Sequence, residues 1–473
     1  MCLLTFTCAA QTNADAPKNI ENNLKNIFKI VGEPDASISI IDSMNKTNLP
    51  GLSVAVIHKG KIDWAKGYGI ANTTSKVNTD TLFQAASISK PIAALAALKL
   101  VEQGKLKLDV DVNQYLKGWN VEGSQLTKEN PVTLRHLLTH NAGLSVPGFP
   151  GYATGSKLPS TIDILSGKGN THKVEVNQLP GKNWRYSGGG YTVIQKIVED
   201  ITGLSFSEYA DNQILKPMGM TSSTFKHVLP MMLKQRASAA YDQNGKMYPA
   251  IYNDYPEKAA AGLWTTPSDL ALYVMHMQSI IAGKTDGILK KSTVESIFIK
   301  HQGDWGLGPS IRQVNNQIIF GHDGKNLGFT NDFNAFVNEG EGIIVMSNGD
   351  SGSLTNMKVM MAISKYYEMG MYKRKSIDVF YVPLDKLKEF TGKYKMSTNI
   401  GYSGDYIVDI RVIDEKLQFK APDEEKFSRL YPVEETKFIE VESKFNPYVF
   451  HKDDVGRVIG ITVADKFKFE KIS

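Results

Sequence analysis

The sequence is almost without cysteine: of its 473 residues only Cys2 and Cys8 carry a thiol, and both lie in the first ten positions. The remainder of the chain therefore has no disulfide, no thiolate metal site and no cysteine nucleophile. Histidine does not replace them as a metal ligand, because His136 is followed by Leu137 and the pattern His-Glu-x-x-His is absent around His140. We expect packing and capping roles for these two histidines, and no bound metal ion.

Long apolar runs and blocks of like charge are also missing. After the N-terminus no run approaches the ~18 apolar residues of a membrane span, so we expect no transmembrane segment. The net charge is only +5 over 473 residues, and no cluster of Lys and Arg interleaved with aromatic residues marks a nucleic-acid surface. The length indicates two or three domains with a sizeable core.

The first ten residues resemble the apolar core and small-residue cleavage region of a secretory signal, although the basic segment that normally precedes them is missing. This interpretation predicts a periplasmic or secreted protein. Lipidation of Cys8 is a weaker alternative, because Thr5 occupies the position where a lipoprotein signal usually has Leu. An apolar N-terminus without a targeting role is the remaining interpretation.

Alternation of apolar and polar residues predicts strands at both ends of a long central region. Residues 52–57 and 62–68 flank a tight turn at Lys59-Gly60 and predict an antiparallel hairpin. Further strands are predicted over 317–320, 332–338 and 342–347, and the region 131–283 between them is predicted to be mostly helical. This order predicts an α+β domain whose single sheet is completed from both of its ends.

Local signals predict several helix boundaries and the division into domains. Helices are expected over 19–30 and 36–44, and N-terminal capping is expected at Ser205 with Glu208, at Ser292 with Glu295, and at Thr266-Pro267-Ser268-Asp269. The basic stretch from Tyr372 to Ser376 indicates a linker. The predicted segments are a signal remnant with its tail (1–18), a catalytic domain (19–371), a linker (372–383), and an all-β domain forming a small antiparallel barrel or sandwich (384–473).

The stretch Ser87-Ile88-Ser89-Lys90 places a hydroxyl and an amine one helical turn apart, before a run of strong helix formers that Pro91 begins and Gly104 ends. Burial of the amine against this helix would lower its pKa and make it a usable base. The pattern also occurs at Ser43 and Ser223, neither of which opens a long helix rich in Ala and Leu. A helix cap with a solvated lysine is the simpler alternative.

Two later segments supply the partners that such a pair requires. Tyr186 lies in a glycine-rich loop just before a predicted helix, where nearby cations such as Lys90 would have to lower the pKa of its phenol for base catalysis. His322 lies at the end of a strand, in Gly321-His322-Asp323-Gly324-Lys325, where backbone N–H groups can serve an oxyanion. A packed loop tyrosine and a structural histidine are the respective alternatives.

In this order, the three patterns resemble the motifs of the serine β-lactamase and penicillin-binding-protein superfamily, and most closely its class C β-lactamase-like branch of esterases and D-amino-acid peptidases. They are Ser87-x-x-Lys90, Tyr186-x-Gly188 and His322-x-Gly324. The resemblance covers roughly residues 40–365 and extends to three further stretches, 133–144, 217–221 and 261–270. The β-rich segment after it more weakly resembles a lipocalin-like extension.

The resemblance implies a β-lactamase/transpeptidase-like antiparallel sheet with a helical insertion, and a catalytic role for each motif. Ser87 would be acylated, Lys90 and Tyr186 would shuttle its proton, and His322 would occupy the place of the third-motif Lys or His. The backbone N–H groups of Ser87 and Lys325 would form the oxyanion hole. No metal or organic cofactor is implied.

Two departures from the family pattern concern substrate binding. Gly188 stands where many members have an Asn that holds the substrate's acylamide, and Asp323 stands where a Thr or Ser often binds a carboxylate. With Gly324 and Lys325 these residues are the predicted substrate-binding set. The expected function is hydrolysis of an ester, an amide or a D-amino-acid peptide through an acyl-enzyme.

The partner of this site would be a small molecule or a peptide, and the oligomeric state is left open. The alternatives are a true β-lactamase or D-Ala-D-Ala carboxypeptidase, and a catalytically silent protein that binds cell-wall fragments or another ligand.

Overall fold

The computed structural model describes residues 15–398, 405–422, 426–441 and 446–473. These residues form two compact units, the first made of 15–22 and 39–372 and the second of 23–38 and 373–473. Residues 23–38 therefore group with the C-terminal residues, although the sequence boundaries place them in the first domain. The predicted signal region, with Cys2 and Cys8, lies largely outside the described residues.

The helices of the described residues are short except for four. They are α1 (Asp15–Glu21), α2 (Ile40–Lys46), α3 (Ser89–Glu102), α4 (Leu134–Leu138), α5 (Thr161–Leu165), α6 (Gly188–Thr202), α7 (Phe206–Ala210), α8 (Met231–Lys234), α9 (Lys258–Ala261), α10 (Pro267–Ile281), α11 (Lys291–Ile297), α12 (Gly352–Tyr366) and α13 (Leu384–Glu389). Within the described ranges, no helix combines the length and the apolar character that a membrane crossing requires.

The strands fall into one large sheet, a barrel and small pairs. They are β1 (Phe28–Ile30), β2 (Gly51–His58), β3 (Lys61–Gly69), β4 (Phe83–Gln84), β5 (Tyr152–Ala153), β6 (Asn253–Asp254), β7 (Trp264–Thr265), β8 (Ser310–Val314), β9 (Gln317–Asn326), β10 (Phe329–Phe336), β11 (Gly342–Ser347), β12 (Lys375–Ile377), β13 (Gly392–Met396), β14 (Ile407–Ile413), β15 (Lys416–Lys420), β16 (Ser428–Pro432), β17 (Lys437–Glu440), β18 (Asn446–Lys452), β19 (Val458–Val463) and β20 (Phe467–Lys471).

The first unit is built on a six-stranded antiparallel sheet with the order β3-β2-β11-β10-β9-β8. The N-terminal hairpin β2–β3 therefore pairs with strands that follow nearly three hundred residues later, with Val54 opposite Val345. Its tight turn has left-handed backbone at Lys59 and Gly60 (φ 52° and 75°). The predicted hairpin and the sheet completed from both ends are confirmed.

Helix α3 passes through the interior of this unit, with eleven of its fourteen residues buried. A helix that is apolar on all sides requires such surroundings. Helix α10 begins as predicted, because the Thr266 hydroxyl accepts a hydrogen bond from the N–H of Asp269 and Pro267 occupies the first turn. Ser205 and Glu208 form the predicted capping box of α7.

Several local predictions were wrong, each for an identifiable reason. The predicted helix over 19–30 ends at Glu21, and its last residues form β1, which gains its hydrogen bonds from parallel pairing with β12 inside the predicted linker. The capping box at Ser292 does not form, because α11 already begins at Lys291. The region 131–187 contains only the short helices α4 and α5, since many of its backbone groups bond to side chains and other loops instead of continuing a helix.

The second unit contains a closed barrel in which β13 to β20 follow one another in sequence order and β20 pairs back onto β13. Of the two predicted forms, barrel or sandwich, the chain adopts the barrel. Its hydrophobic cluster includes Phe390, Phe438 and Phe450, with ring centroids 4.6–5.4 Å apart. Closure removes the exposed strand edges that an open sheet of this size would present.

Candidate active site

Ser87 lies in a single 3-10 turn, Ala86–Ile88, immediately before α3, and its side chain is partly exposed. The preceding residue, Ala86, has a φ of 52°, a left-handed conformation that alanine rarely adopts. Strand β9 passes so close to this turn that a Cβ atom on Gly324 would lie 2.2 Å from the carbonyl oxygen of Ala85. Glycine at 324 therefore lets the strand pack against the turn that carries Ser87.

Lys90 is the buried partner of Ser87. Its Nζ lies 2.9 Å from Ser87 Oγ and donates to the carbonyl oxygen of Ala260 at 2.8 Å. Burial lowers the pKa of Lys90 to about 7, against an opposing effect of the Asp323 carboxylate. At neutral pH a large fraction of the amine is therefore uncharged and able to accept the Ser87 proton.

The two other Ser-x-x-Lys stretches have no such geometry. Ser43 is buried, with its hydroxyl 2.9 Å from that of Thr355, and Ser223 is buried and donates to the Asp269 carboxylate at 2.7 Å. Their lysines, Lys46 and Lys226, are exposed. Burial of the lysine thus distinguishes the pair at 87 and 90 from the chance occurrences of the pattern.

Tyr186 reaches Ser87 from the loop before α6. Its hydroxyl hydrogen-bonds the Ser87 side chain, and Lys90 Nζ lies over its ring, 4.9 Å from the centroid. Burial raises the pKa of this phenol, and the nearby Asp323 carboxylate adds to the effect. The lowered pKa that base catalysis by Tyr186 would require is not found, so this phenol is a proton donor at neutral pH.

His322 lies on β9, opposite Phe333 of β10, and is buried. Its Nδ1 bonds the carbonyl oxygen of Asp323, which only an N–H can do, so the lone pair resides on Nε2. This Nε2 has no hydrogen-bond partner among the described residues. Burial lowers the pKa of His322 to about 4, and Lys90 contributes to the shift. The ring is neutral and has a free acceptor.

Beyond Gly321 one edge of β9 is open. Strand β8 pairs with β9 only as far as Gly321, and no other described strand continues the pairing on that side. Asn326 and Phe329 are the hydrogen-bonded pair next to the turn between β9 and β10. Hydrogen-bonded and non-hydrogen-bonded pairs alternate along an antiparallel ladder, so every second residue of β9 back from Asn326 bonds to β10. The N–H groups of the residues between them, Asp323 and Lys325, therefore point away from β10. They face the open edge, where a substrate can pair with them.

The predicted substrate-binding residues do not all lie at this edge. Gly188 is the first residue of α6, and a Cβ there would lie 3.0 Å from Phe149 Cε2 and from the carbonyl oxygen of Pro147. The side chain of Lys325 turns to Asp350, with Nζ 2.9 Å from its carbonyl oxygen and 3.6 Å from its carboxylate. Only the backbone of Lys325 is thus placed for the oxyanion.

Two residues of the site were not predicted from the sequence to be there. His140 packs against Tyr186 with ring centroids 4.2 Å apart, and its Nδ1 accepts the N–H of Ser187 at 3.1 Å. Trp305 lies 5.7 Å from the Tyr186 ring and 5.3 Å from the His322 ring. From the sequence, packing and capping were expected for His140, and nothing was predicted for Trp305, for which the nearby Gly303 and Gly306 were the available signal. His140 and Trp305 thus pack against the Tyr186 ring, and Trp305 also packs against His322.

His136, by contrast, caps α4 as expected, since its Nδ1 accepts the N–H of Thr133. Within the part of the chain that the structure describes, no three His, Cys, Asp or Glu side chains are grouped as ligands for a metal ion.

Known proteins share both the sequence pattern and the fold. Protein flp of Staphylococcus aureus is 28% identical over 240 residues, which cover 48% of this chain and 43% of that protein. Penicillin-binding protein 4* of Bacillus subtilis is 29% identical over 215 residues, covering 44% of this chain and 42% of that protein. The matches therefore span less than half of the length of these curated relatives.

A solved structure extends the similarity to nearly the whole chain. The octameric penicillin-binding protein homologue from Pyrococcus abyssi superimposes with a TM-score of 0.60, covering 91% of this chain and 98% of that one at 23% identity. At this identity the likeness establishes the fold. The profile of the Beta-lactamase family matches residues 38–358, more than half of the chain and all three motif regions. This protein belongs to the Beta-lactamase family, within the superfamily of serine β-lactamases and penicillin-binding proteins.

Proposed function

We propose that the protein is a serine hydrolase that forms an acyl-enzyme on Ser87 and cleaves an ester, an amide or a D-amino-acid peptide. The observation that carries this proposal is the contact between the partly exposed hydroxyl of Ser87 and the buried amine of Lys90, 2.9 Å away. An activated nucleophile requires a base within hydrogen-bond reach whose pKa lies near the working pH. Lys90 meets both conditions.

In the acylation step, the neutral amine of Lys90 accepts the proton of Ser87 while Oγ forms a bond to the substrate's carbonyl carbon. The carbonyl oxygen becomes an oxyanion, which the N–H groups of Ser87 and Lys325 stabilise. Collapse of this intermediate breaks the bond to the leaving group, and the Tyr186 hydroxyl protonates that group as it departs. Tyr186 recovers its proton from Lys90, which returns to the neutral amine.

In the deacylation step, water attacks the ester on Ser87 and must lose a proton. The site contains two neutral bases, the amine of Lys90, which lies 2.9 Å from Ser87 Oγ, and the buried, unpartnered Nε2 of His322. We assign the proton to Lys90, because its pKa of about 7 matches neutral pH better than the value of about 4 for His322. Tyr186 then relays it to Ser87, and the acid product leaves.

The open edge of β9 supports a substrate that is extended at the scissile bond. The outward N–H of Asp323 and Lys325 offer an ester or a peptide backbone the pairing of an added strand. Gly188 supplies no side-chain amide at its position against Phe149 and Pro147. The side-chain contact that would favour a dedicated β-lactamase is therefore lacking, and general acyl hydrolysis is the function that the site supports best.

The test replaces Ser87 by Ala and measures covalent labelling by a fluorophosphonate and by a fluorescent penicillin. We expect the labelling rate to fall at least ~100-fold, because the hydroxyl that lies 2.9 Å from the buried amine of Lys90 is then removed. The matched control is Ser292→Ala, which changes an exposed serine in α11 and leaves the Ser87 site untouched. Labelling of Ser87→Ala at the rate of the wild type would refute the proposal.

A further inference from the structure

Asp323 is an exposed carboxylate on the strand that also carries His322. It follows His322 on β9 and lies at the strand edge left open beyond Gly321. Its negative charge acts on Lys90, Tyr186 and His322, since it raises the pKa of each of them. Within the described residues its carboxylate forms no ion pair and no hydrogen bond, and the nearby Lys325 is paired with Asp350 instead.

The site offers no fixed positive charge to balance Asp323. Lys325, two residues further along the same edge, is held by Asp350. Asp323 is the charged residue, among those described, that shifts the pKa of Lys90 and of Tyr186. His322 is neutral, and Lys90 is only partly charged at neutral pH. The one full charge in the resting site is therefore negative and solvent-accessible.

We infer that the site selects acyl substrates that carry a cationic group near the scissile bond and disfavours those that carry a free carboxylate there. The inference rests on the proposed function and names its substrate class. A cationic group would become the missing partner of Asp323, whereas a carboxylate would face it without a counter-ion. Peptides that end in a free carboxylate next to the scissile bond are consequently poor substrates, and esters or amides bearing an ammonium group are good ones.

The experiment compares three p-nitrophenyl esters of nearly equal shape. The cationic ester has the acyl group 4-(trimethylammonio)butyryl and the neutral ester has 5,5-dimethylhexanoyl. The anionic ester has 5-carboxypentanoyl, the acyl group derived from adipic acid. A second series places the same charges in the alcohol, with butyrate esters of choline, 3,3-dimethylbutanol and glycolate. We expect kcat/KM to fall in the order cationic, neutral, anionic in at least one series, by about tenfold from the first to the last.

Two substitutions test whether the Asp323 carboxylate causes the preference for the cationic ester. Asp323→Asn keeps the shape of the side chain and removes its charge, so the preference for the cation should shrink to less than twofold. The control Asp286→Asn removes an equal charge from an exposed loop that follows α10 and should keep the order. Raising the salt concentration should also reduce the preference of the wild type, because the interaction is exposed to solvent.

The outcomes separate this inference from the proposed function. If the neutral esters are hydrolysed but charge has no effect, or if the preference survives in Asp323→Asn, the selection by charge is refuted while the hydrolase remains. If no ester is hydrolysed and Ser87 takes up no fluorophosphonate, the proposed function itself fails. A preference for the anionic ester would overturn the inference directly.

Discussion

At the scale of single residues, burial determines the protonation state of Lys90. The same four-residue pattern occurs at Ser43 and Ser223, where the serines bond to structural partners and the lysines are solvated. Only Lys90 is withdrawn from water, with 2% of its surface exposed. Desolvation destabilises the charged amine, so the residue that is ordinarily an acid at neutral pH becomes a base.

The pH dependence of turnover follows from this shift. In the proposed mechanism the neutral amine of Lys90 is the base. The value of kcat/KM for a neutral ester should therefore rise with pH and level off above an apparent pKa of about 7. The Asp323 carboxylate favours the charged amine, so Asp323→Asn should move the rise to lower pH. Rates measured from pH 5 to pH 9 check both statements. A profile without a rise between pH 6 and pH 8, or a shift to higher pH in the variant, would contradict the assignment of Lys90 as base.

At the scale of elements, the site depends on strand β9 running past the turn of Ser87. Periodicity predicted a strand only over 317–320, and the structure extends it to Asn326. The sequence Gly321-His322-Asp323-Gly324 has little strand preference of its own, and pairing with β10 holds it extended. The extension brings His322 to the site and points the N–H of Lys325 at the open edge.

Gly324 is the position where this arrangement is most sensitive. In Gly324→Ala the added Cβ would meet the Ala85 carbonyl oxygen at 2.2 Å, so either β9 or the turn must shift. We expect kcat to fall at least ~10-fold and the free energy of unfolding to fall by about 1–3 kcal/mol. The control Gly123→Ala adds a methyl group in open space and should leave both unchanged. Ester hydrolysis and urea denaturation measure the two effects, and full activity in Gly324→Ala would show that the close approach is not required.

At the scale of the whole molecule, the stability of the fold depends on the pH through the buried carboxyl group of Glu257. Glu257 has no exposed surface, and among the described residues no other residue forms a hydrogen bond with its carboxylate oxygens. Burial raises the pKa of Glu257 to about 7. The ordinary pKa of a glutamate is 4.5, so between this pH and about 7 the carboxyl group is protonated in the folded state and ionised in the unfolded state. The protein therefore loses stability as the pH rises from about 4.5 to about 7 and does not regain it above that range.

Replacement of Glu257 by Gln should remove this loss. At pH 8 the free energy of unfolding should increase by about 3 kcal/mol relative to the wild type, and the gain should shrink toward zero near pH 5. The control Glu129→Gln, at an exposed position, should change neither value. Urea denaturation at pH 5 and pH 8 measures the difference. A gain that is equal at both values would show that Glu257 is not the titrating group.

The sequence by itself determined the family, the antiparallel hairpin, the helix that follows Ser87 and the motif residues of the site, but not the neighbouring His140 and Trp305. These features depend on local signals, namely strand alternation around Lys59-Gly60, the apolar run after Pro91, and three short motifs that keep their order along the chain. Strand alternation and helix signals involve residues close in the sequence, and the motifs are recognised by their residue types and order, so neither requires knowledge of the fold.

Only the tertiary structure decided which groups are charged and where the strands end. Residues 28–30 form a strand because their partner lies at 375–377, and β9 continues to Asn326 because β10 pairs with it. The protonation of Lys90 and Tyr186 likewise depends on burial by segments distant in sequence. Desolvation and strand pairing are properties of neighbours in space, and no local pattern of residues records them.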